Sequence, residues 1–312
     1  MDVALHARAD DADALIARCR SLGVSHVCLS LAAVPGFADT GVPDRAYLQR
    51  FLRRLTDAGI HAPVAITWFG NDPDLVLQPA AHRAEIEARL RTLAVLGEVG
   101  IGALLHYVDV AQSPDPDDDE RYWGGLLAIF RELVRQAEVC DVRLANHAIW
   151  RCLPDSLRGA ALREGVTMAD YRTYQPPPWR GPYLLTSHEH IVRLLTAIPS
   201  AHNGVCFCTG MHIMGGDIPR LVDTFKGKIH YSQMRDVRGC WPAAEEVFLG
   251  TGDLDFPDIL SRLAAAGYEG TIGPEHLGKP RHPGEDLEAA AAAFLRDSLA
   301  LSQEAGASHP GG

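Results

Sequence analysis

The sequence predicts a single (β/α)8 barrel, in which eight parallel strands form a cylinder surrounded by helices. Short β-branched or apolar runs alternate with longer segments of helical period, which is typical of a parallel sheet covered by helices. Eight such units fit in the 312 residues, and eight units close into a barrel more readily than they form an open sheet. A doubly wound sheet is the alternative, but no glycine-rich phosphate loop follows the first strand.

The predicted strands are short runs rich in β-branched and apolar residues. In chain order they are Val3–His6, His26–Leu31, Pro63–Trp68, Ala103–Asp109, Arg143–Ile149, Gly204–Thr209, Lys228–Arg235 and Gly270–Glu275. Each is followed by a segment whose apolar residues recur three or four positions apart, as on the buried face of a helix. These segments are Asp13–Leu22, Tyr47–Leu55, Ile86–Val95, Leu126–Val134, Ile191–Leu195, Ile218–Phe225, Phe256–Ala266 and Leu287–Leu301.

Two helix starts carry capping signals. Asp44 can accept a hydrogen bond from the first turn of the second helix. The run Thr186-Ser187-His188-Glu189 is typical of a capping box before the fifth helix. We expect His188 and His190, which flank the glutamate, to be exposed on that first turn.

Two connections are longer than the others. Arg151–Leu185, after the fifth strand, has no clear period, and long loops in compact domains are usually functional or disordered. Because it lies on the catalytic face of a barrel, we interpret it as a lid or pocket wall. The second connection, Val237–Asp253, follows the seventh strand. We therefore predict one barrel domain over residues 1–303 and a disordered tail over residues 304–312.

The composition is that of a globular protein with a sizeable core, since 47% of the residues are hydrophobic and 22% are charged. The formal net charge of −11 makes the surface repel nucleic acid and anionic lipid, so neither is an expected partner. An anionic small molecule can bind only where local cations or a metal reverse the field.

The sequence also bears on the compartment. No apolar stretch approaches the length needed to span a bilayer, and the N-terminus has no basic region followed by an apolar run. The seven cysteines are odd in number and scattered, which indicates reduced thiols. We therefore expect a cytoplasmic protein.

Side chains that can bind a metal end four successive predicted strands. The strand ends are Asn146-His147, Cys208-Thr209-Gly210, Gln233-Met234-Arg235-Asp236 and Glu275-His276. A barrel displays its chemistry from the carboxyl ends of its strands. Imidazole, thiolate and carboxylate together suit Mn²⁺, Fe²⁺ or Zn²⁺ better than Mg²⁺ or Ca²⁺. The sequence therefore predicts a metal or substrate site at this end of the barrel.

Several of these segments resemble the mannonate dehydratases. Asn203–Gly210 resembles their NGLTFCTGS, Lys228–Arg235 their RIxFxHLR, Gly252–Asp255 their GDVDM, Pro274–His276 their PDHG, and Val142–His147 their strand that ends in HPDDPP. The resemblance runs from about Arg143 to Gly278 and is interrupted by the Arg151–Leu185 loop. The glycine and glutamate pattern at the eighth strand is shared by the wider xylose-isomerase-like TIM barrel superfamily.

The resemblance implies a set of site residues. The family's metal ligands are a histidine, a cysteine, a second histidine and an aspartate, which correspond here to His147, Cys208, Gln233 and Glu275. Gln233 offers a neutral amide oxygen in place of an imidazole, and Glu275 is one methylene longer than aspartate. The family's catalytic arginine and histidine correspond to Arg235 and His276. The acidic-proline continuation after the first histidine is absent, because Ala148-Ile149-Trp150 follows His147.

The implied function is removal of water from an anionic sugar acid, which gives a 2-keto-3-deoxy acid. The implied cofactor is a divalent metal, with Mn²⁺ as the first expectation and Fe²⁺, Co²⁺ or Zn²⁺ as alternatives. Barrels of this type often form homodimers or homotetramers. Two other functions remain open. Glu275 favours a sugar isomerase or epimerase, and Gln233, as a weaker ligand, favours a barrel that binds a sugar acid without turning it over.

Each candidate residue also has a structural interpretation. His147 and Cys208 taken alone are more often buried structural residues, and Arg235 and Asp236 could pair with each other at the surface. Alternation predicts that His230 faces the helices while Ile229, Tyr231, Gln233 and Arg235 face the lumen. His106 or His212 could hold a substrate oxygen.

Overall fold

The computed structural model describes residues 1–68, 74–108, 119–150, 153, 155–171, 174 and 185–307. Within these ranges, the strands are β1 Asp2–Arg8, β2 His26–Ser30, β3 His61–Trp68, β4 Ala103–Tyr107, β5 Arg143–His147, β6 Asn203–Cys208, β7 Ile229–Met234, β8 Asp236–Arg238, β9 Glu245–Val247 and β10 Thr271–Pro274.

Eight of these strands form a closed parallel barrel, which confirms the predicted fold. Their order around the barrel is β1-β10-β7-β6-β5-β4-β3-β2, so that the first and last barrel strands pair and close it. The other two, β8 and β9, form a separate antiparallel ribbon directly after β7. This ribbon occupies the long connection that follows the seventh predicted strand and starts one residue before it, at Asp236.

The helices surround the barrel. They are α1 Ala12–Leu22, α2 Phe37–Thr40, α3 Arg45–Asp57, α4 Asp74–Leu77, α5 Arg83–Val99, α6 Asp119–Cys140, α7 Asp155–Arg163, α8 His188–Ala197, α9 Ile218–Thr224, α10 Phe256–Ala265 and α11 Leu287–Ala307. In the described ranges, no helix is both long and apolar enough to cross a membrane.

Of the two predicted helix N-caps, one lies at the predicted residue and the other is shifted by one residue. Asp44 accepts a hydrogen bond from the Tyr47 backbone N–H at 2.7 Å, as predicted. Before α8 the N-cap is Ser187, whose hydroxyl accepts from the His190 N–H at 3.4 Å. The predicted box, which starts at Thr186, therefore begins one residue too early.

Two predictions about irregular segments are wrong in part. The Arg151–Leu185 connection contains the helix α7, and Glu304–Ala307, predicted as part of the tail, continue α11. Residues 175–184 and 308–312 lie outside the described residues. The interpretation of this loop as a lid, and of residues 308–312 as disordered, therefore stays a prediction.

The core has two layers. The larger layer packs between strands and helices, and the smaller one fills the lumen below the carboxyl ends of the strands. The lumen cluster consists of Cys28, Val64, Ala103, Leu105, Tyr107, Ala145, Cys206 and Tyr231. Tyr231 thus points inward as predicted, while the neighbouring His230 is hydrogen-bonded to the Leu144 carbonyl at 2.9 Å. The site described below lies on top of this lumen layer.

Candidate functional site

Three side chains that can bind a metal converge at the mouth of the barrel. His147 ends β5, Cys208 ends β6, and Glu275 directly follows β10. Their ligand atoms all lie within 4.8 Å of one another. The barrel brings them together because the carboxyl ends of its parallel strands open at the same face.

His147 is held in the form that a metal binds. Its Nδ1 contacts the Ala148 carbonyl oxygen, which fixes the ring. Its Nε2 is buried and has no hydrogen-bond partner in the described part of the chain, although buried polar atoms are normally satisfied. Burial lowers the pKa of His147 to about 4, so the imidazole is neutral near pH 7. A neutral imidazole with a free nitrogen is a metal ligand.

Cys208 is a buried thiol beside this imidazole. Burial raises the pKa of Cys208 to about 12, although Arg235 opposes the shift. The thiol is therefore protonated without a metal, and a cation bound there would displace the proton. The raised pKa argues against a nucleophilic cysteine, which needs a lowered one, and it suits either a metal ligand or a buried structural thiol.

Glu275 is an ionised carboxylate. Burial alone would raise its pKa, but the charge and hydrogen bond of Arg235 together with the nearby imidazoles of His147 and His6 outweigh burial and hold the pKa of Glu275 below its ordinary value. Glu275 Oε2 accepts a hydrogen bond from Arg235 Nη2 at 2.7 Å, and Oε1 accepts one from the Tyr107 hydroxyl at 2.8 Å. The carboxylate is thus oriented from both sides.

Gln233, the fourth ligand implied by the resemblance, is the register partner of Cys208 on the neighbouring strand. Its Nε2 donates to the Tyr107 hydroxyl at 3.0 Å, and its Oε1 accepts from Cys206 Sγ at 3.5 Å. Tyr107 therefore connects Gln233 to Glu275. The ligand role of Gln233 stays a prediction.

Arg235 forms ion pairs with two carboxylates. Its Nη1 donates to Glu246 and its Nη2 to Glu275, and its guanidinium lies 5.5 Å from the centre of the Trp150 ring. The alternative interpretation, a surface pair of Arg235 with Asp236, does not hold, because the Asp236 carboxylate accepts instead from backbone N–H groups. Arg235 faces the site as predicted.

Two residues after β6 make room for Arg235 and hold it. The Thr209 hydroxyl accepts from the Arg235 N–H at 2.9 Å and donates to its carbonyl oxygen at 2.5 Å. A Cβ on Gly210 would lie 2.6 Å from Arg235 Cδ and 3.1 Å from the Trp150 ring. Glycine at this position therefore lets the arginine pass between the strand end and the ring.

His276 is hydrogen-bonded to Glu246, a residue that sequence reasoning missed. Its Nδ1 lies 2.8 Å from Glu246 Oε2. Glu246 belongs to β9, so the ribbon that follows β7 supplies this carboxylate. Burial would raise the pKa of Glu246, but hydrogen bonding to His276 and the charge of Arg235 lower it, so Glu246 is ionised.

An aromatic row crosses the mouth of the barrel. Trp68 stacks on Tyr107 with ring centres 4.3 Å apart, Tyr107 meets His147 at 4.6 Å, and His147 meets Trp150 at 4.8 Å. Beside Trp68 lies a cavity of about 280 Å³ whose lining includes His6, Cys28, Ser30, Phe37, Ile66 and Trp68. Sequence reasoning missed Tyr107 and Trp68, although Trp68 ends a predicted strand, Tyr107 lies two residues before the end of another, and both face inward.

The other histidines lie elsewhere. His106 faces the helices, with its ring 5.7 Å from that of Phe130, so it is not placed to hold a substrate oxygen in the lumen. His190 is buried against Trp123 at 5.8 Å, which makes the prediction of an exposed position wrong. His212 lies 3.7 Å from the Asp253 carboxylate.

Comparison with known proteins finds mannonate dehydratases among the proteins to which this chain is similar. The mannonate dehydratase of Thermotoga petrophila is 28% identical over 188 residues, which cover 54% of this chain and 44% of that protein. The chain thus spans less than half the length of the curated relatives it matches. The mannonate dehydratase of Streptococcus suis serotype 2 has a TM-score of 0.74 at 16% identity, covering 100% of this chain and 96% of that one.

Other solved structures share the fold. L-ribulose 3-epimerase has a TM-score of 0.67 at 17% identity, covering 98% of this chain and 97% of that chain. A likeness at this identity shows the fold alone. A sequence model of one family, described as the xylose isomerase-like TIM barrel, matches residues 16–298. The chain therefore belongs to the xylose isomerase-like TIM barrel family.

Proposed function

We propose that this chain is a metal-dependent dehydratase that converts a sugar acid to a 2-keto-3-deoxy acid. The observation that carries the proposal is the convergence of His147, Cys208 and Glu275, in which the buried His147 Nε2 has no hydrogen-bond partner among the residues that the structure describes. The sequence match to mannonate dehydratases supports the choice of reaction.

The donor atoms fit a divalent metal. His147, Cys208 and Glu275 would hold it, with the Gln233 amide oxygen as the fourth proposed ligand. This mixture of nitrogen, sulfur and oxygen admits Mn²⁺, Fe²⁺, Co²⁺ or Zn²⁺, and we propose Mn²⁺ first because the resemblance implies it. When bound, the ion supplies a Lewis acid for charge that develops on the substrate carboxylate as the neighbouring proton leaves.

The charges of the site support a role for such a cation. Two ionised carboxylates, Glu246 and Glu275, face one guanidinium, that of Arg235. These three groups together carry a net negative charge, and the whole chain carries −11. A divalent cation reverses the local sign and lets an anionic substrate bind.

The chain's own residues perform the remaining steps. Arg235 keeps Glu275 ionised and aimed at the site, and we propose that it also attracts the substrate carboxylate. His276 moves a proton, since an imidazole can both accept and donate one near neutral pH. We place the sugar chain along Trp68 in the cavity beside it, where the indole ring stacked on Tyr107 offers an apolar face.

Metal content and turnover together test the proposal. The protein is stripped with a chelator, reloaded with manganese, and analysed for metal. We expect about one equivalent in the wild type, loss of metal in Cys208→Ala, and retention in Cys19→Ala, which removes a buried thiol from α1. The loaded protein is then given stereoisomeric aldonates, with detection of the 2-keto acid. Absence of turnover across the stereoisomers would sink the dehydratase proposal.

A second candidate function is sugar isomerisation or epimerisation. The glutamate at the end of the eighth barrel strand favours it, and an epimerase shares the fold. Exchange of solvent protons into a sugar without loss of water distinguishes it from dehydration. A bound aldonate with no chemistry under any metal would favour the non-catalytic barrel.

Assembly and location are also proposals. The six cysteines of the described ranges, Cys19, Cys28, Cys140, Cys206, Cys208 and Cys240, are free thiols. They are consistent with our proposal that the enzyme works in the reducing cytoplasm. We further propose a homodimer or homotetramer, which light scattering tests directly.

A further inference from the structure

His276 has an unusual backbone conformation. Its φ of 48° lies in the left-handed region, which residues other than glycine seldom adopt. Such conformations persist where the surroundings fix them, and they cluster at functional sites. Here the surroundings include the contact of 2.8 Å between His276 Nδ1 and Glu246 Oε2. In the described part of the chain, no hydrogen bond forms at the other ring nitrogen, Nε2.

Glu246 is itself fixed from its other side. Its Oε1 accepts from Arg235 Nη1, and the same guanidinium binds Glu275 through Nη2 at 2.7 Å. Because Arg235 only donates hydrogen bonds, the oxygen of Glu246 that faces it must be an acceptor. Glu246 therefore connects the proposed base His276 to the residue that orients a metal ligand.

We propose that Glu246 is a positioning residue, which keeps the proton of neutral His276 on Nδ1 and leaves Nε2 free as the base of the site. An ionised carboxylate can only accept, so the ring nitrogen that faces it must carry the proton. Similar partners fix the tautomer of histidines in many metal sites.

This inference rests on the proposed function, because the base needs a substrate proton to remove. His276 Nε2 takes the proton from the carbon next to the substrate carboxylate, and the C–H electron pair forms a carbon–carbon double bond. The C–O bond of the neighbouring hydroxyl breaks at the same time. The departing hydroxide then takes the proton from Nε2 as water, and the enol product rearranges to the 2-keto acid. The imidazole thus returns to its starting tautomer.

Nuclear magnetic resonance tests the tautomer directly. The metal-free protein, labelled with ¹⁵N-histidine, is measured at about pH 8, above the ordinary imidazole pKa, and His276→Gln assigns the signal. We expect the Nδ1–H tautomer in the wild type. In Glu246→Gln the amide oxygen must face Arg235, so the amide N–H faces His276 Nδ1 and the proton moves to Nε2.

Two further variants separate charge from fold. Glu246→Asp keeps the carboxylate and should keep the Nδ1–H signal. Glu245→Gln changes the neighbouring acid of β9, which pairs with Arg238 at 3.3 Å, and should leave the signal unchanged. Thermal melting of each variant shows that it is folded. An Nε2–H signal in the wild type, or an unaltered signal in Glu246→Gln, overturns the proposal.

Kinetics with an established substrate supply the second readout. Glu246→Gln should lower kcat about 10- to 100-fold while metal content and KM stay close to wild type. An unchanged kcat would contradict the positioning role. The tautomer is measured without metal or substrate. If the aldonate screen finds no turnover while the Nδ1–H signal is present, the result contradicts the dehydratase proposal and leaves the positioning role of Glu246 standing.

Discussion

Arg235 and Glu275 form a buried ion pair at the mouth of the barrel, with 2.7 Å between Nη2 and Oε2. The side chains are only 3% and 11% exposed, so neither charge is solvated well by water. Each charge therefore depends on the other, and the pair keeps a proposed metal ligand ionised and in place.

Removal of the arginine should destabilise the protein strongly. Arg235→Gln leaves Glu275 and Glu246 without their guanidinium, and loss of one partner of a buried pair lowers the free energy of unfolding by about 3–5 kcal/mol. Urea denaturation of the metal-free protein measures this change. The matched variant Arg238→Gln breaks an exposed pair with Glu245 and should change the free energy by less than about 1 kcal/mol. Equal effects of the two variants would contradict a buried pair.

Gly210 should not tolerate a side chain. In Gly210→Ala the new Cβ meets Arg235 and Trp150, and the arginine cannot yield freely because both terminal nitrogens are held. We expect the free energy of unfolding to fall by about 1–3 kcal/mol, as in other overpacked sites.

Gly102→Ala is the control for this substitution. A Cβ at Gly102 meets nothing within 4 Å, so we expect little change in stability. Urea denaturation compares the two variants. A Gly210→Ala protein as stable as Gly102→Ala would show that Arg235 has room to move.

Trp68 should contribute to ligand binding more than to stability. The side chain is 55% exposed and stacks on Tyr107. Trp68→Ala should lower the free energy of unfolding by no more than about 1.5 kcal/mol. On the proposed function, it should weaken mannonate binding to the manganese-loaded protein about tenfold, which corresponds to about 1.4 kcal/mol. Calorimetric titration measures the affinity. Leu301→Ala, an exposed residue of α11, is the control, and an equal loss of affinity there would exclude a specific role for Trp68.

Much of the site could be predicted because a barrel places the ends of its strands at one face. His147 and Cys208 end apolar runs of β5 and β6, and Glu275 follows the run of β10. Their order along the chain therefore determines their place at the mouth. The direction of Tyr231 and His230 followed in the same way from the alternation of a strand.

The features that were missed depend on contacts between distant segments. Glu246 lies on a strand of three residues, whose pairing with β8 leaves no periodic pattern in the sequence. His190 lies in the first turn of α8, yet it packs against the ring of Trp123 on α6. The last residues of α11 were missed because the sequence from 304 to 307, Glu-Ala-Gly-Ala, contains no large apolar residue to continue the helical period.

The buried His230 should make stability depend on pH. Burial lowers the pKa of His230 to about 4, and the charges of Arg143 and Lys228 and the nearby His202 lower it further, while the bond to Leu144 opposes them. The unfolded chain has the ordinary value of about 6.5. The unfolded state therefore binds more protons below pH 6.5, and folding loses stability as pH falls.

The predicted loss can be isolated by substitution. The lowering of the His230 pKa corresponds to a contribution of about 3 kcal/mol to the free energy of unfolding. This contribution is present in full above about pH 6.5 and is lost as pH falls toward 4. His230→Gln removes this contribution. Between pH 7 and pH 4, the free energy of unfolding of the wild type should therefore fall by about 3 kcal/mol more than that of the variant. Urea denaturation across this range measures both proteins, and the other buried histidines cancel in the difference. A constant difference in unfolding free energy at all pH values would show that His230 does not titrate as its burial requires.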